Sequence, residues 1–440
     1  MTPRPGPLRE LPQVPLAKPP PFRLPGEHFL AAGAWLLVVA LLLPSVAVSV
    51  AEGRVFEPAV FAAVHAGVLG VLASSIFGAL NQFVPGGLEV PLRSVRLGHA
   101  GFWLLQAGTA VLVTGFWLWD GRAQAAGWLL VFGAVGAASA NILPARRRSP
   151  HGQLVGLYLS VAHSALGLAM VIALARIGET LGWWHVDRLR LLGAHALLGA
   201  VGFGTLTAIG VGSRMLPTFL VAHGNDAPRL KVILALFAAG LSAVTAGAVS
   251  GLAALTTVGA GLLVAGAVAT LELAGRWFRR KSRTLDAPLL HVATAFVGLA
   301  LATAWGAVLV ATDAFALRRW AAFLIALILG WLVMLVAGVM GKLVPHLSYI
   351  HLFRSMPGFG RVGDPNRLLD RRWLMVSWIL LAAGAVGLPF AVDAGAVGLA
   401  QVAAGIWSAG AVVTLATHGR MFARGRWPDG ARGRVPGRGD

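Results

Sequence analysis

The chain has no cysteine, two tyrosines and 17 acidic residues among 440. Without thiols it forms no disulfide, no thiolate metal site and no cysteine nucleophile. Any metal it binds is therefore held by His, Met or oxygen ligands. Acids are scarcest in the apolar runs. Glu272 is the one carboxylate placed inside a membrane-length segment, and Arg276, one helical turn on, is its natural ion-pair partner. Asp120, Asp187, Asp313 and Asp393 fall at segment edges, where solvation accounts for them. Proton-coupled transport ordinarily uses an intramembrane acid, so this scarcity counts against it. Phosphate-binding glycine loops, serine triads and HExxH motifs are also missing.

Apolar length fills the space these absences leave. Hydrophobic residues make up 57% of the chain, charged residues 12%, and the mean hydropathy is +0.76. Runs this long cross a hydrocarbon layer of roughly 30 Å. Twelve are expected, near 28–50, 58–80, 97–119, 124–143, 152–176, 191–213, 230–250, 251–272, 288–312, 319–341, 373–392 and 396–419. The break between the seventh and eighth rests only on Ser250-Gly251. With the N-terminus placed in the cytoplasm, 29 of the 36 Lys and Arg residues lie in the tails and the even-to-odd loops, and seven lie opposite. That bias obeys the positive-inside rule, which a lost or extra span in mid-chain would break. It also accounts for the net charge of +19 through anionic lipid, without nucleic acid, since no aromatic-basic motif accompanies it. Residues 1–25, rich in proline, and 421–440, rich in Gly and Arg, read as disordered cytoplasmic tails around a single membrane domain of 26–420.

One pattern recurs three times. Gly70, Gly78, Gln82 and Pro85 have the spacing of Gly202, Gly210, Arg214 and Pro217, and of Gly330, Gly338, Lys342 and Pro345. The copies are 132 and 128 residues apart and sit on spans two, six and ten. The predicted fold is thus an all-α integral membrane protein of twelve transmembrane helices in three four-helix repeats, about 28–149, 150–286 and 287–420, with both termini cytoplasmic. Small residues at i and i+8 share one helix face and permit close packing. The proline is expected to stop each helix where Gln82, Arg214 or Lys342 reaches the headgroups. Trp103, Trp117, Trp119 and Trp128 are expected to be interfacial anchors.

Among the twelve histidines, His28, His99, His151, His223, His351 and His418 fall at span ends, and His185 lies beside Trp183 and Trp184 in an outer loop. Interfacial anchoring is the expected role of these seven. Four lie deeper or better placed. His65 sits two turns into span two from the outer face, and His195 one turn into span six from the same face. His163 is near mid-membrane, and His291 begins span nine, 128 residues on. A single buried imidazole is readily satisfied by a backbone carbonyl. Two on equivalent helices, flanked by small residues in VHAGVLG and AHALLGAVG, also suit axial ligation of haem iron. His-rich bundles serve ion pathways as well.

At these residues the chain resembles subunit I of the haem-copper oxidases and the wider group of oxidase-like membrane proteins that includes the NnrS type. The resemblance spans residues 28–420. It implies that span-two His65 is a low-spin haem ligand and span-six His195 a copper ligand, and that these two helices serve separate pores. The departures are equally specific. Residues 230–250 contain no histidine pair to complete a copper site. Span ten has no histidine until His346, beyond Pro345 and at the opposite membrane face. The tyrosines, Tyr158 and Tyr349, do not match the family's modified one. No oxygen-reducing dinuclear centre is expected, which leaves an oxidoreductase-type activity open.

The resulting expectation is an oxidase-like haem protein of the cell membrane, by these departures not a classical terminal oxidase but a haem b carrier without copper, with His65 and His195 as cofactor and iron ligands. His163, His291 and His346 are secondary metal-ligand candidates. Its role would be electron transfer or a nitric-oxide or oxygen response, with an electron-transfer partner at the outer face and partner subunits of unknown number. The alternative is a transporter or permease carrying a small molecule or metal ion along the histidine-bearing spans. Known transporters favour two repeats over three parallel ones.

Overall fold

The computed structural model describes residues 21–149, 152–222, 224–312, 316–353 and 365–424. Nearly all of both expected tails lies outside these residues, as do His151, His223, Asp313 and the side chain of His351. Every described element is helical. Twelve helices among the described residues are long and apolar enough to cross a membrane. They are α1 (Arg23–Ala51), α2 (Pro58–Gly87), α3 (Val95–Trp117), α4 (Gly121–Arg148), α5 (Gln153–Thr180), α6 (Arg188–Leu220), α7 (Ala227–Ser250), α8 (Ala253–Arg279), α9 (Ala287–Thr312), α10 (Leu317–Ile350), α11 (Arg371–Asp393) and α12 (Val397–Met421).

The boundaries have local causes. Ser94, Asp120, Asp187 and Asp370 cap α3, α4, α6 and α11, each side chain accepting a hydrogen bond from a backbone N–H of the first turn. The sequence reading takes Asp120 and Asp187 as solvated edge residues and does not single out Ser94 or Asp370; all four cap a helix. The thin break after α7 is sound: Gly251 takes φ +78°, a left-handed conformation that ends the helix without a Cβ penalty.

The three prolines do not stop their helices. Pro85 and Pro217 lie inside α2 and α6, which end at Gly87 and Leu220, and Pro345 lies well inside α10. A proline removes one i to i−4 bond, and within a packed bundle the helix continues past it. Lys342 likewise does not reach for headgroups but pairs with Asp286. Arg214 is exposed, as expected.

Helices α2, α6 and α10 form the centre and the other nine surround them. Hairpins α3–α4, α7–α8 and α11–α12 are the tightest pairs, and α1 closes the ring against α12. The skeleton glycines do what their spacing predicts. A Cβ on Gly70 would fall 2.3 Å from Trp35, one on Gly202 2.5 Å from Ala165, and one on Gly330 3.2 Å from the Gly298 Cα. One turn pair further, Gly78 packs on His28, Gly210 on Tyr158 and Gly338 on Pro288. In each case the central helix lies directly against the helix that precedes it in the chain.

Each central helix also changes its winding at mid-length. Ala66–Ala73, Leu198–Thr205 and Ala326–Val333 are π-helical, and their starts are 132 and 128 residues apart. These three segments touch one another along the bundle axis. There the Trp331 indole N–H donates to the Thr205 hydroxyl at 3.1 Å.

Candidate functional site

His65 is the residue just before the first π segment, and His195 stands three residues before the second. Each lies seven residues beyond the start of its helix, a depth of about 10 Å at 1.5 Å per residue. His195 is thus one turn deeper than the sequence placed it, because α6 begins at Arg188. The matched depths put both imidazoles at one level, on the side of the bundle opposite the chain ends.

The two helices bring them together. The imidazole centroids are 6.3 Å apart with their planes 28° from parallel. His65 Nδ1 lies 2.8 Å from the Phe61 carbonyl, one turn back. His195 Nδ1 lies 3.0 Å from the Ala169 carbonyl of α5. A carbonyl only accepts, so Nδ1 carries the proton in both rings and Nε2 is left with its lone pair. Backbone carbonyls that hold Nδ1 in this way fix ring orientation and strengthen Nε2 as a donor to metals. Phe116 of α3 supports the His65 ring at 4.4 Å between centroids.

Both rings line a cavity of about 370 Å³ enclosed by α1 to α6 and α10. Its wall is almost wholly apolar. Beside the histidines it is low: a Cβ on Gly199 would meet nothing within 4 Å, and one on Gly67 only Val39 at 3.9 Å. Trp128, expected at the interface, instead lines this cavity and donates to the Met170 carbonyl at 2.9 Å. Trp103, Trp117 and Trp119 are exposed as expected. One cation, Arg176 of α5, reaches the lining, held at 2.6 Å by Glu179, which Arg188 also engages at 2.6 Å.

The other candidates are not part of this group. His163 is buried behind Phe77 and Phe203, two residues of the cavity wall. Its Nδ1 bonds to the Leu159 carbonyl and its Nε2 has no hydrogen-bond partner. His291 is buried four residues into α9, bonded to the Ala287 carbonyl and packed by Gly338. It therefore occupies the level of Tyr158, the packing partner of Gly210, and not that of His163. His346 is exposed. Among the described residues no three His, Asp or Glu side chains form a cluster able to hold a metal ion.

Several histidines read as interfacial are in fact internal. His28 is 2% exposed, wedged against Gly78 with neither nitrogen hydrogen-bonded. His418 bonds to the Thr414 carbonyl and its Nε2 is buried. His99 contacts Glu27 at 2.5 Å, and His185 is exposed. Sequence reasoning missed Arg176, Phe116 and the Ala169 carbonyl. Arg176 carried a faint signal as a lone cation at the end of an apolar span. The other two are contacts between helices and leave no mark on their own segments. No family model matches the chain, and no curated protein matches it.

Proposed function

We propose that this chain is an oxidase-like haem protein of the cell membrane, built from three four-helix repeats with both termini cytoplasmic, in which His65 and His195 are the axial ligands of a b-type haem. The observation that carries this reading is the pair of imidazoles with Nδ1 anchored on backbone carbonyls and Nε2 free on one cavity. With ring centroids 6.3 Å apart, His65 and His195 are close enough that both would hold one iron. A porphyrin supplies four nitrogens itself, so two protein ligands suffice. The low wall at Gly67 and Gly199 leaves room beside the rings for a flat macrocycle.

When bound, such a haem supplies one-electron transfer, its potential set by the axial ligands and the dielectric of the site. The chain's own groups do the rest. His65 and His195 are oriented before binding, so little ring entropy is lost. The apolar wall excludes water, and Arg176 offers a positive charge to anionic haem carboxylates near the membrane edge. With two protein ligands, His65 and His195, on one iron, electron transfer would fit the site better than direct gas binding. The matched spacings of the glycine skeleton and of the π segments support the repeat, and the Lys and Arg bias supports the orientation.

The test is an optical spectrum of detergent-purified protein, oxidised and dithionite-reduced, with iron measured on the same sample. A sharp reduced haem b spectrum and about one iron per chain are expected. Each of His65→Ala and His195→Ala should lower haem content at least tenfold. A colourless, iron-free protein from haem-replete cells overturns the proposal and leaves the permease reading, for which His65→Ala would alter transport without any pigment.

A further inference from the structure

A second cavity, about 450 Å³, lies between α6 and α10 with α7, α8 and α9 as its outer wall. It stands to α6 and α10 as the histidine cavity stands to α2 and α6. The repeat spacings make the relation explicit. Adding 132 to His65 gives Leu197, and adding 128 to His195 gives Phe323; both line the second cavity. The fold has therefore made the same recess twice and left the second without a metal ligand. This comparison rests on the repeat and not on haem binding.

The chemistry of the recess is correspondingly plain. Thr205 and Thr303, the hydroxyls of its deeper part, already donate to the Ala200 and Leu299 carbonyls at 3.1 and 2.7 Å. The rest of the deep wall is apolar, and the single charge is Arg190 at the rim. Arg190 pairs with Asp187 at 3.1 Å, yet its side chain remains 56% exposed. Along α8 the lining runs from Thr256 to Ala267, eleven residues or about 16 Å at 1.5 Å per residue. That is about half of a roughly 30 Å hydrocarbon layer, with the cation at headgroup level. A polar metabolite would find no uncommitted hydroxyl donor in its depth. A hydrocarbon chain with an anionic end matches length, polarity and charge together.

We propose that this second cavity is a phospholipid site, taking one acyl chain of a lipid from the leaflet opposite the chain termini, with the lipid phosphate on Arg190. The haem reading plays no part in it.

The experiment uses the full chain in nanodiscs of phosphatidylglycerol or phosphatidylcholine, with retained lipid read by native mass spectrometry after detergent transfer. About one lipid per chain should survive, with phosphatidylglycerol retained about fivefold over phosphatidylcholine, a preference of the size one arginine confers. Arg190→Gln should abolish the preference and keep the chain-filling lipid, whereas Ala260→Phe, which fills the recess, should remove the retained lipid. Gly306→Leu serves the same purpose if Ala260→Phe does not fold. His65→Ala should leave every lipid readout unchanged, so a failure of haem binding and a failure of the lipid site are told apart. Equal retention in the filled variants and wild type shows annular lipid only and overturns the proposal. An isoprenoid quinone recovered from wild type and lost from the filled variants overturns it in favour of a redox-carrier site.

Discussion

At the scale of single residues, the energetic contrasts lie among the glycines. Gly298 presses on the Gly330 backbone so closely that a methyl group has nowhere to go, whereas Gly136 of α4 has nothing within 4 Å. Gly298→Ala should therefore destabilise by about 1–3 kcal/mol, as overpacking does. Gly136→Ala should be neutral or gain up to about 1 kcal/mol from helix propensity. Paired melting curves in one detergent check both signs. Near the histidine cavity, Glu57 in the α1–α2 loop is hydrogen-bonded by Ser49 and Arg54, which hold its carboxyl below the ordinary 4.5. A depressed carboxylate stabilises above its unfolded value and loses that contribution as pH falls through the folded one. The melting temperatures of wild type and Glu57→Gln should differ slightly at pH 7 and converge as pH falls below 4.5 and through the lowered folded value. The Arg54 and Glu57 side chains are solvent-accessible, 50% and 34% exposed, and the pair is screened by salt.

The π segments decide the arrangement at the scale of elements. An i to i+5 turn adds a residue relative to α-helix and rotates everything beyond it, and such turns often accompany functional sites. His65 and His195 stand just outside two of them, on helix turns that the π segments set relative to the glycine-bearing halves. Caps matter on the same scale: Asp120→Ala should cost about 1 kcal/mol, since two N–H groups of α4 lose their acceptor.

For the whole molecule, the ring closes where α1 meets α12, with Gly33 against Leu415. Position on the membrane follows from charge. Reporter fusions after Met421 should be active only in the cytoplasm, and fusions in the turn at Trp119–Asp120 only outside. The opposite pattern would invert the bundle and place the histidine cavity at the inner face.

Much of this was legible beforehand. Membrane-length apolar runs follow from composition, because an unsatisfied backbone in lipid leaves helix as the only course for such runs. The twelve segments and the face carried by Gly70 and Gly78 needed no structure. The repeat spacing also placed His65 and His195 on the second and sixth helices, toward the end of the bundle opposite the N-terminal end of α1. It did not place His28 inside, because a residue near a helix end is interfacial or buried according to which neighbour covers it, and Gly78 does so from another segment. Nor did it reach Arg176 or the Ala169 carbonyl.

What the sequence alone determined is the number and apolar character of the spans, which depend on local free energies of transfer. Only the tertiary structure decided that α2 and α6 bring two imidazoles within 6.3 Å, that α6 and α10 enclose a matching recess without them, and that three helices wind as π where they meet. Those outcomes depend on which helix faces pack together across more than a hundred residues of chain, and no local pattern carries that information.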